Sequence, residues 1–133
     1  MIKYFSLIIS FLILTACTTT VDNNDALIGF AKIKHDFGKV PYEKQASYTF
    51  DFSNKGKTLL VIQDVMTSCG CTVPEWTKKP IQPGRKGIVK IKFDANAVGI
   101  FHKTVKVFFN GPDSPVYLEI LGEVQYTEGK EKN

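Results

Sequence analysis

The segment Gln45 to Asn54, QASYTFDFSN, sets Ala46, Tyr48, Phe50 and Phe52 against Ser47, Thr49, Asp51 and Ser53. Successive side chains of a strand point to opposite faces, so this period of two predicts a strand with one face in a core and one in water. Asn54-Lys55-Gly56-Lys57 then turns the chain. Leu59 to Thr67 follows, apolar on both faces through Leu60, Val61, Ile62 and Val65, which predicts a strand in a central position.

The same pattern continues outward. Pro83-Gly84 marks a turn before Gly87 to Asp94, where Val89, Ile91 and Phe93 alternate with Ile88, Lys90, Lys92 and Asp94. Ala95 to Gly99 breaks the chain, and Ile100 to Asn110 resumes with Val105, Val107 and Phe109 on one face. Gly111-Pro112-Asp113-Ser114-Pro115 reads as a loop, and Val116 to Val124 as the last strand. Short strands near Ala31 to Asp36 and within Trp76 to Ile81 bring the count to about seven. Helical periodicity is missing, so the expected fold is all-β, an immunoglobulin-like β-sandwich of about seven antiparallel strands.

Composition agrees with a single globular domain: 133 residues, 44% hydrophobic and 23% charged. It excludes collagen-like repeats, acidic tails and a multi-pass membrane protein, and three cysteines are too few for a disulfide-dense miniprotein. The formal charge of +4 falls to +3 (16 basic minus 13 acidic) without Lys3. That is too small to argue for nucleic acid as a partner.

Met1 to Cys17, MIKYFSLIISFLILTAC, has a basic start, an apolar run and small residues before a cysteine. This is the layout of a secretory signal peptide, and Leu14-Thr15-Ala16-Cys17 resembles a bacterial lipobox. About 13 residues separate Lys3 from Cys17, whereas a spanning helix needs roughly 20. The expected division is a lipoprotein signal peptide over 1–16, lipidated Cys17 and a polar tether over 17–27, the domain over 28–126, and a frayed tail over 127–133. Cys17 would then hold the protein on a bacterial membrane through its acyl chains, facing the periplasm or the cell exterior.

Catalytic motifs are not found. Gly56-Lys57-Thr58 resembles the end of a phosphate-binding loop, but Asp51 stands where its first glycine belongs and a strand follows where a helix is needed. Neither G-x-S-x-G nor H-E-x-x-H occurs. Lys90, Lys92, Lys103 and Lys106 suggest a basic face only if their strands share a sheet; lysine on solvated strands otherwise serves to discourage edge pairing.

Ser68-Cys69-Gly70-Cys71-Thr72 carries the distinctive chemistry. Three states fit it. A Cys69–Cys71 disulfide requires a turn at Gly70, because an extended backbone spreads the Cα atoms to roughly 6.6 Å. Two thiolates on one face form a soft site best matched to Cu(I), while zinc would need further ligands, with only His35 and His102 on offer. Packing as small apolar side chains is the third. His35 beside Asp36 is an acid/base pair only if a nucleophile joins them, and otherwise a structural or solvated residue, as is His102. Trp76 is either an exposed anchor for a partner or a plug for the sandwich.

Taken together, His35-Asp36-Phe37-Gly38, the Phe50, Phe52 and Asn54 strand end, Ser68-Cys69-Gly70-Cys71-Thr72, Pro74-Glu75-Trp76, Pro83-Gly84, Gly87, Gly99 with Phe101 and Lys103, and Gly122 resemble the bacterial family known as domain of unknown function 1573. The resemblance spans about His35 to Glu123. It implies an immunoglobulin-like fold related to modules of ciliary and centrosomal scaffold proteins, usually in secreted or lipid-anchored chains, with Phe37-Gly38 at an entry turn and no established reaction.

The functional expectation is a lipid-anchored, non-catalytic binding or scaffold module that holds an envelope protein or glycan at a sheet edge or loop cluster. The alternative is a small thiol-redox or copper-handling protein using Cys69 and Cys71.

Overall fold

The computed structural model describes residues 25–127. Residues 1–24, which include the expected signal peptide, Cys17 and most of the expected tether, and residues 128–133 lie outside the described residues. Eight strands follow in order: β1 (Ile28–Phe30), β2 (Lys34–Pro41), β3 (Gln45–Asn54), β4 (Ile62–Thr67), β5 (Thr72–Trp76), β6 (Lys86–Asp94), β7 (Gly99–Phe109) and β8 (Val116–Gln125). They form two four-stranded sheets, ordered β1-β3-β6-β5 and β2-β8-β7-β4.

The alternation in sequence becomes the two inner faces. Phe50 and Phe52 of β3 with Val89, Ile91 and Phe93 of β6 face Val105, Val107 and Phe109 of β7 with Leu118 and Ile120 of β8, all buried. Each such side chain contributes about 1.5 to 3 kcal/mol on leaving water, and this holds the sheets together. β3 and β6 are paired along their length from Gln45 opposite Asp94 to Ser53 opposite Lys86, so Ser47, Thr49, Lys90 and Lys92 fall on the outer face.

Five sequence expectations are corrected. The 28–41 stretch makes two strands, because the chain pairs with β3 as far as Phe30, crosses over Ala31–Ile33 and enters the other sheet. β2 therefore runs parallel to β8, an exception to the all-antiparallel reading. The strand expected within Trp76 to Ile81 lies earlier, over Thr72–Trp76, where Thr72, Pro74 and Trp76 oppose Phe93, Ile91 and Val89. Pro74 is tolerated because β5 is a sheet edge.

The Leu59–Thr67 run is not a central strand either. Leu60 pairs with Ile81 in an isolated bridge and is fully buried, whereas β4 starts at Ile62 and is an edge with Gln63, Asp64 and Met66 in solvent. Its doubly apolar character comes from plugging the end of the core. Phe37-Gly38 lies at a bulge inside β2 and not at an entry turn: the register shifts between Asp36 and Lys39, and Gly38 takes φ 63° while its N–H donates to Asp36 Oδ1 at 2.8 Å.

Gln82 to Arg85 forms the turn expected from Pro83-Gly84, with Arg85 N donating to Gln82 O at 3.0 Å and Gly84 at φ 78°, the type II position that favours glycine. Lys90 and Lys92 belong to one sheet and Lys103 and Lys106 to the other, so the four lysines form no common face.

Candidate functional site

β4 belongs to one sheet and β5 to the other, so Ser68 to Cys71 is the corner where the chain changes sheets. Gly70 permits a turn there, and Cys69 and Cys71 are joined by a disulfide with Cα atoms 5.4 Å apart, shorter than an extended strand would give. The corner is clamped to both layers: Ser68 N donates to Thr104 O of β7 at 3.2 Å, and Asp94 N of β6 donates to Cys71 O at 2.9 Å.

Two threonines frame the bridge. Thr67 Oγ1 lies 3.0 Å from Cys69 O and 3.1 Å from Thr72 O, so its single proton is shared between them. The Thr72 hydroxyl, on a buried residue, sits 3.8 and 3.9 Å from the two sulfurs. Neither threonine was singled out by sequence reasoning; the hydroxyl residues that flank Cys69-Gly70-Cys71 on both sides are the signal that points to them. Both cysteines are half-buried, and Cys71 lines a cavity of about 220 Å³ with Phe93, Phe101 and the Val98–Ile100 segment. Around that cavity Val98 is 48% and Ile100 87% exposed.

A bridge with a sequence separation of 2 closes so small a loop that it constrains the unfolded chain little, about 1.6 kcal/mol by loop entropy. The Cys69→Ser/Cys71→Ser chain is therefore expected to fold with a urea midpoint only slightly below that of the oxidised protein. A loss above about 4 kcal/mol, typical of bridges that close long loops, would show that the corner depends on the bond.

The remaining candidates are dispersed. His35 points between the sheets at their open side, stacked on Tyr48 with ring centroids 3.6 Å apart and edge-on to Phe37 at 4.6 Å. Phe37 reaches Phe101 at 6.3 Å and Phe101 stacks on Phe93 at 4.0 Å, so a run of rings leads from His35 to the cavity wall beside Cys71. His102 is on the outer face of β7, its Nε2 3.1 Å from Glu119 Oε2. That hydrogen bond, together with Lys34, holds the Glu119 carboxyl below its usual range. The histidines and cysteines are not gathered, and among the described residues no three His, Cys, Asp or Glu side chains are placed to hold a metal. As a disulfide the pair offers Cu(I) no thiolate; that chemistry belongs to the reduced form.

Trp76 packs its ring against the core, with Lys78 Nζ 3.0 Å from the ring centroid and its own buried Nε1 without an acceptor. This is the geometry of a plug under a cation–π lid. Glu75 beside it accepts from Lys92, which lowers the Glu75 carboxyl.

Burial pushes the His35 imidazole below its ordinary value, Asp36 opposing and Lys32 adding to the shift. An imidazole depressed in the folded state binds its proton later than in the unfolded state, so its contribution is complete above pH 6.5 and is lost as pH falls through the lower folded value. Stability is expected to decline below pH 6.5 more steeply in the native chain than in His35→Gln, read from urea midpoints across that interval.

An eight-strand, two-sheet sandwich whose chain changes layers at a disulfide-closed corner defines an immunoglobulin-like module with PapD-like neighbours. The chain belongs to the family described as protein of unknown function (DUF1573), whose model matches residues 28–124. No curated protein matches its sequence. Among solved structures it is similar to a protein of unknown function from Porphyromonas gingivalis W83 (TM-score 0.68, 15% identity, covering 77% of this chain and 48% of that one). It is also similar to PapD-like domain 7, an ASH domain, of human CEP192 (TM-score 0.67, 8% identity, 79% and 89% covered). A third similar structure is the VesB protease of Vibrio cholerae (TM-score 0.61, 15% identity, 75% and 32% covered). The chain spans about half the length of the Porphyromonas protein, and at these identities the likeness is one of fold.

Proposed function

We propose that this chain is a lipid-anchored module of the bacterial cell envelope that binds a protein partner without catalysis, at the loop cluster around the Cys69–Cys71 corner. The observation that carries this reading is the exposure of Ile100, 87%, beside Val98, 48%, at the mouth of the cavity. Aliphatic side chains held in water beside an apolar hollow favour a protein segment over a glycan, whose sugars would be met by flat aromatic faces. The lipobox ending in Cys17 supports the anchor and the envelope location.

A photoreactive residue in place of Ile100 in the full chain, expressed in its own cells, is expected to crosslink one discrete envelope protein, whereas the same residue at Thr49 on the outer face of the other sheet does not. Equal, diffuse crosslinking at both positions overturns the reading. Cys17→Ser is expected to move the chain from the membrane to the soluble fraction.

A second reading is favoured by the half-buried disulfide opening onto that cavity. A partner dithiol would supply a thiolate that attacks one sulfur, forming a mixed disulfide and releasing the other as thiolate. The partner's second thiol then closes the partner's disulfide, leaving Cys69 and Cys71 reduced by two electrons. In single Cys69→Ser and Cys71→Ser chains the remaining thiolate would attack the disulfide of the oxidised partner and stay joined to it as a mixed disulfide, releasing the partner's other sulfur as thiolate; if neither chain is captured so, the bridge is structural.

A further inference from the structure

The sandwich is electrically lopsided along its length, and the basic end is the one at which the chain enters from the tether. Leu27 O accepts from Lys55 N at 2.7 Å and Asp25 O from Lys57 N at 3.3 Å, so the entering segment lies on the β3–β4 turn. Arg85 O accepts from Asn54 N at 2.9 Å, and Lys86 opposes Ser53, which brings the β5–β6 turn to the same end. Lys55, Lys57, Arg85 and Lys86 are all exposed, and none is in an ion pair among the described residues. Lys55 and Lys86 line one shallow groove with Ser53 and Asp51. The opposing charges at this end are Asp25, Asp113 and, within that groove, Asp51. At the disulfide end Lys39, Lys44 and Lys103 are equalled in number by Glu43, Asp94 and Glu123.

We propose that the Lys55, Lys57, Arg85 and Lys86 end seats the sandwich on the anionic phospholipid headgroups of its own membrane, holding the disulfide end outward. The proposal rests on the anchor reading. Cys17 precedes Asp25 by 8 residues (25 minus 17), a reach of at most about 28 Å, whereas the ten residues of β8 alone extend about 33 Å. The tether therefore brings the entry end to the bilayer before any other part. The tether holds Asp22 and Asp25 and no base, so attraction to anionic lipid has to come from the folded end. Each base within a Debye length of an anionic surface is worth about fivefold in occupancy.

The test inserts the full acylated protein into preformed vesicles of phosphatidylcholine, with or without phosphatidylglycerol, and maps lysine acylation by an impermeant reagent. On anionic vesicles Lys55, Lys57 and Lys86 are expected to react at least about fivefold more slowly, with Lys44 and Lys103 unchanged. The protection is expected to vanish at about 1 M salt, where the Debye length is about 3 Å. In Lys55→Glu/Arg85→Glu the remaining Lys86 should lose its protection. Equal reactivity on both vesicles, with acyl chains found on Cys17 by mass, overturns the seating and leaves the anchor standing. A mature protein with Cys17 unacylated overturns both.

Discussion

Asn54→Ala is expected to remove about 3 kcal/mol of stability, a large part of what a domain of this size has in reserve. Asn54 is 1% exposed, and its side chain is the junction of three segments. Its Nδ2 donates to Thr58 O at 2.6 Å and to Ile81 O at 2.9 Å, while Oδ1 accepts from Gly56 N at 2.9 Å. Its backbone adds two more bonds, to Arg85 O at 2.9 Å and from Gly84 N at 2.8 Å. Truncation leaves the Gly56 N–H and the Thr58 carbonyl without partners and Ile81 O with Leu60 N alone, where water has little access, and that desolvation dominates the cost. Urea unfolding measures it, and a loss below about 1 kcal/mol would mean that water replaces the side chain.

Asn54→Asp separates hydrogen bonding from shape. The carboxylate can still accept from Gly56 N, but an oxygen now faces two carbonyl oxygens where an NH₂ stood. Repulsion raises the carboxyl pKa in the folded state, so the defect is expected to deepen as pH rises above the unfolded value of about 3.9 and to ease in acid.

Phe101→Ala is the second large effect, about 3 to 5 kcal/mol. Phe101 is 7% exposed, stacks on Phe93 at 4.0 Å and reaches Phe37 at 6.3 Å, joining β7 to β6 and to the bulge of β2. It also walls the cavity beside Cys71, which would enlarge on truncation. Its ring fits because Gly122 opposes it across the β7–β8 pair: a Cβ at Gly122 would stand 2.8 Å from Phe101 Cζ and 2.9 Å from Gly38 O. Gly122→Ala alone is therefore expected to cost about 1 to 3 kcal/mol. In Phe101→Leu/Gly122→Ala the penalties should sum to less than the two singles, because the smaller side chain vacates the space the new methyl needs. Strict additivity in thermal or urea melts would show that ring and glycine are independent.

The candidate site was legible in part. Cys69, Gly70 and Cys71 are adjacent in sequence, so their joint chemistry follows from their spacing alone, and the need for a turn at Gly70 follows from strand geometry. What surrounds them could not be named. Phe93, Phe101 and Val98–Ile100 arrive from the β6–β7 corner, more than twenty positions later, and their place beside Cys71 depends on how the sheets stack. His35 reads as a possible base beside Asp36, yet its environment is Tyr48 and Phe37, and the stack on Tyr48 comes from a strand of the opposite sheet.

By itself the sequence determined the all-β class, the inward residues of β3, β6, β7 and β8, the turn at Pro83-Gly84 and the cysteine pair. All of these depend on neighbours one to four positions apart, where period-two alternation and the conformational limits of Pro and Gly act. Only the tertiary structure decided which strands are edges, that β2 runs parallel to β8, that β4 and β5 lie in different layers, and that Lys55, Lys57, Arg85 and Lys86 meet at one end of the sandwich. Lys34 opposite Glu119 is a pairing across 85 positions (119 minus 34), and no local preference encodes it. Such choices are made by burial of the two inner faces against each other, a free energy that exists only once the distant segments have met.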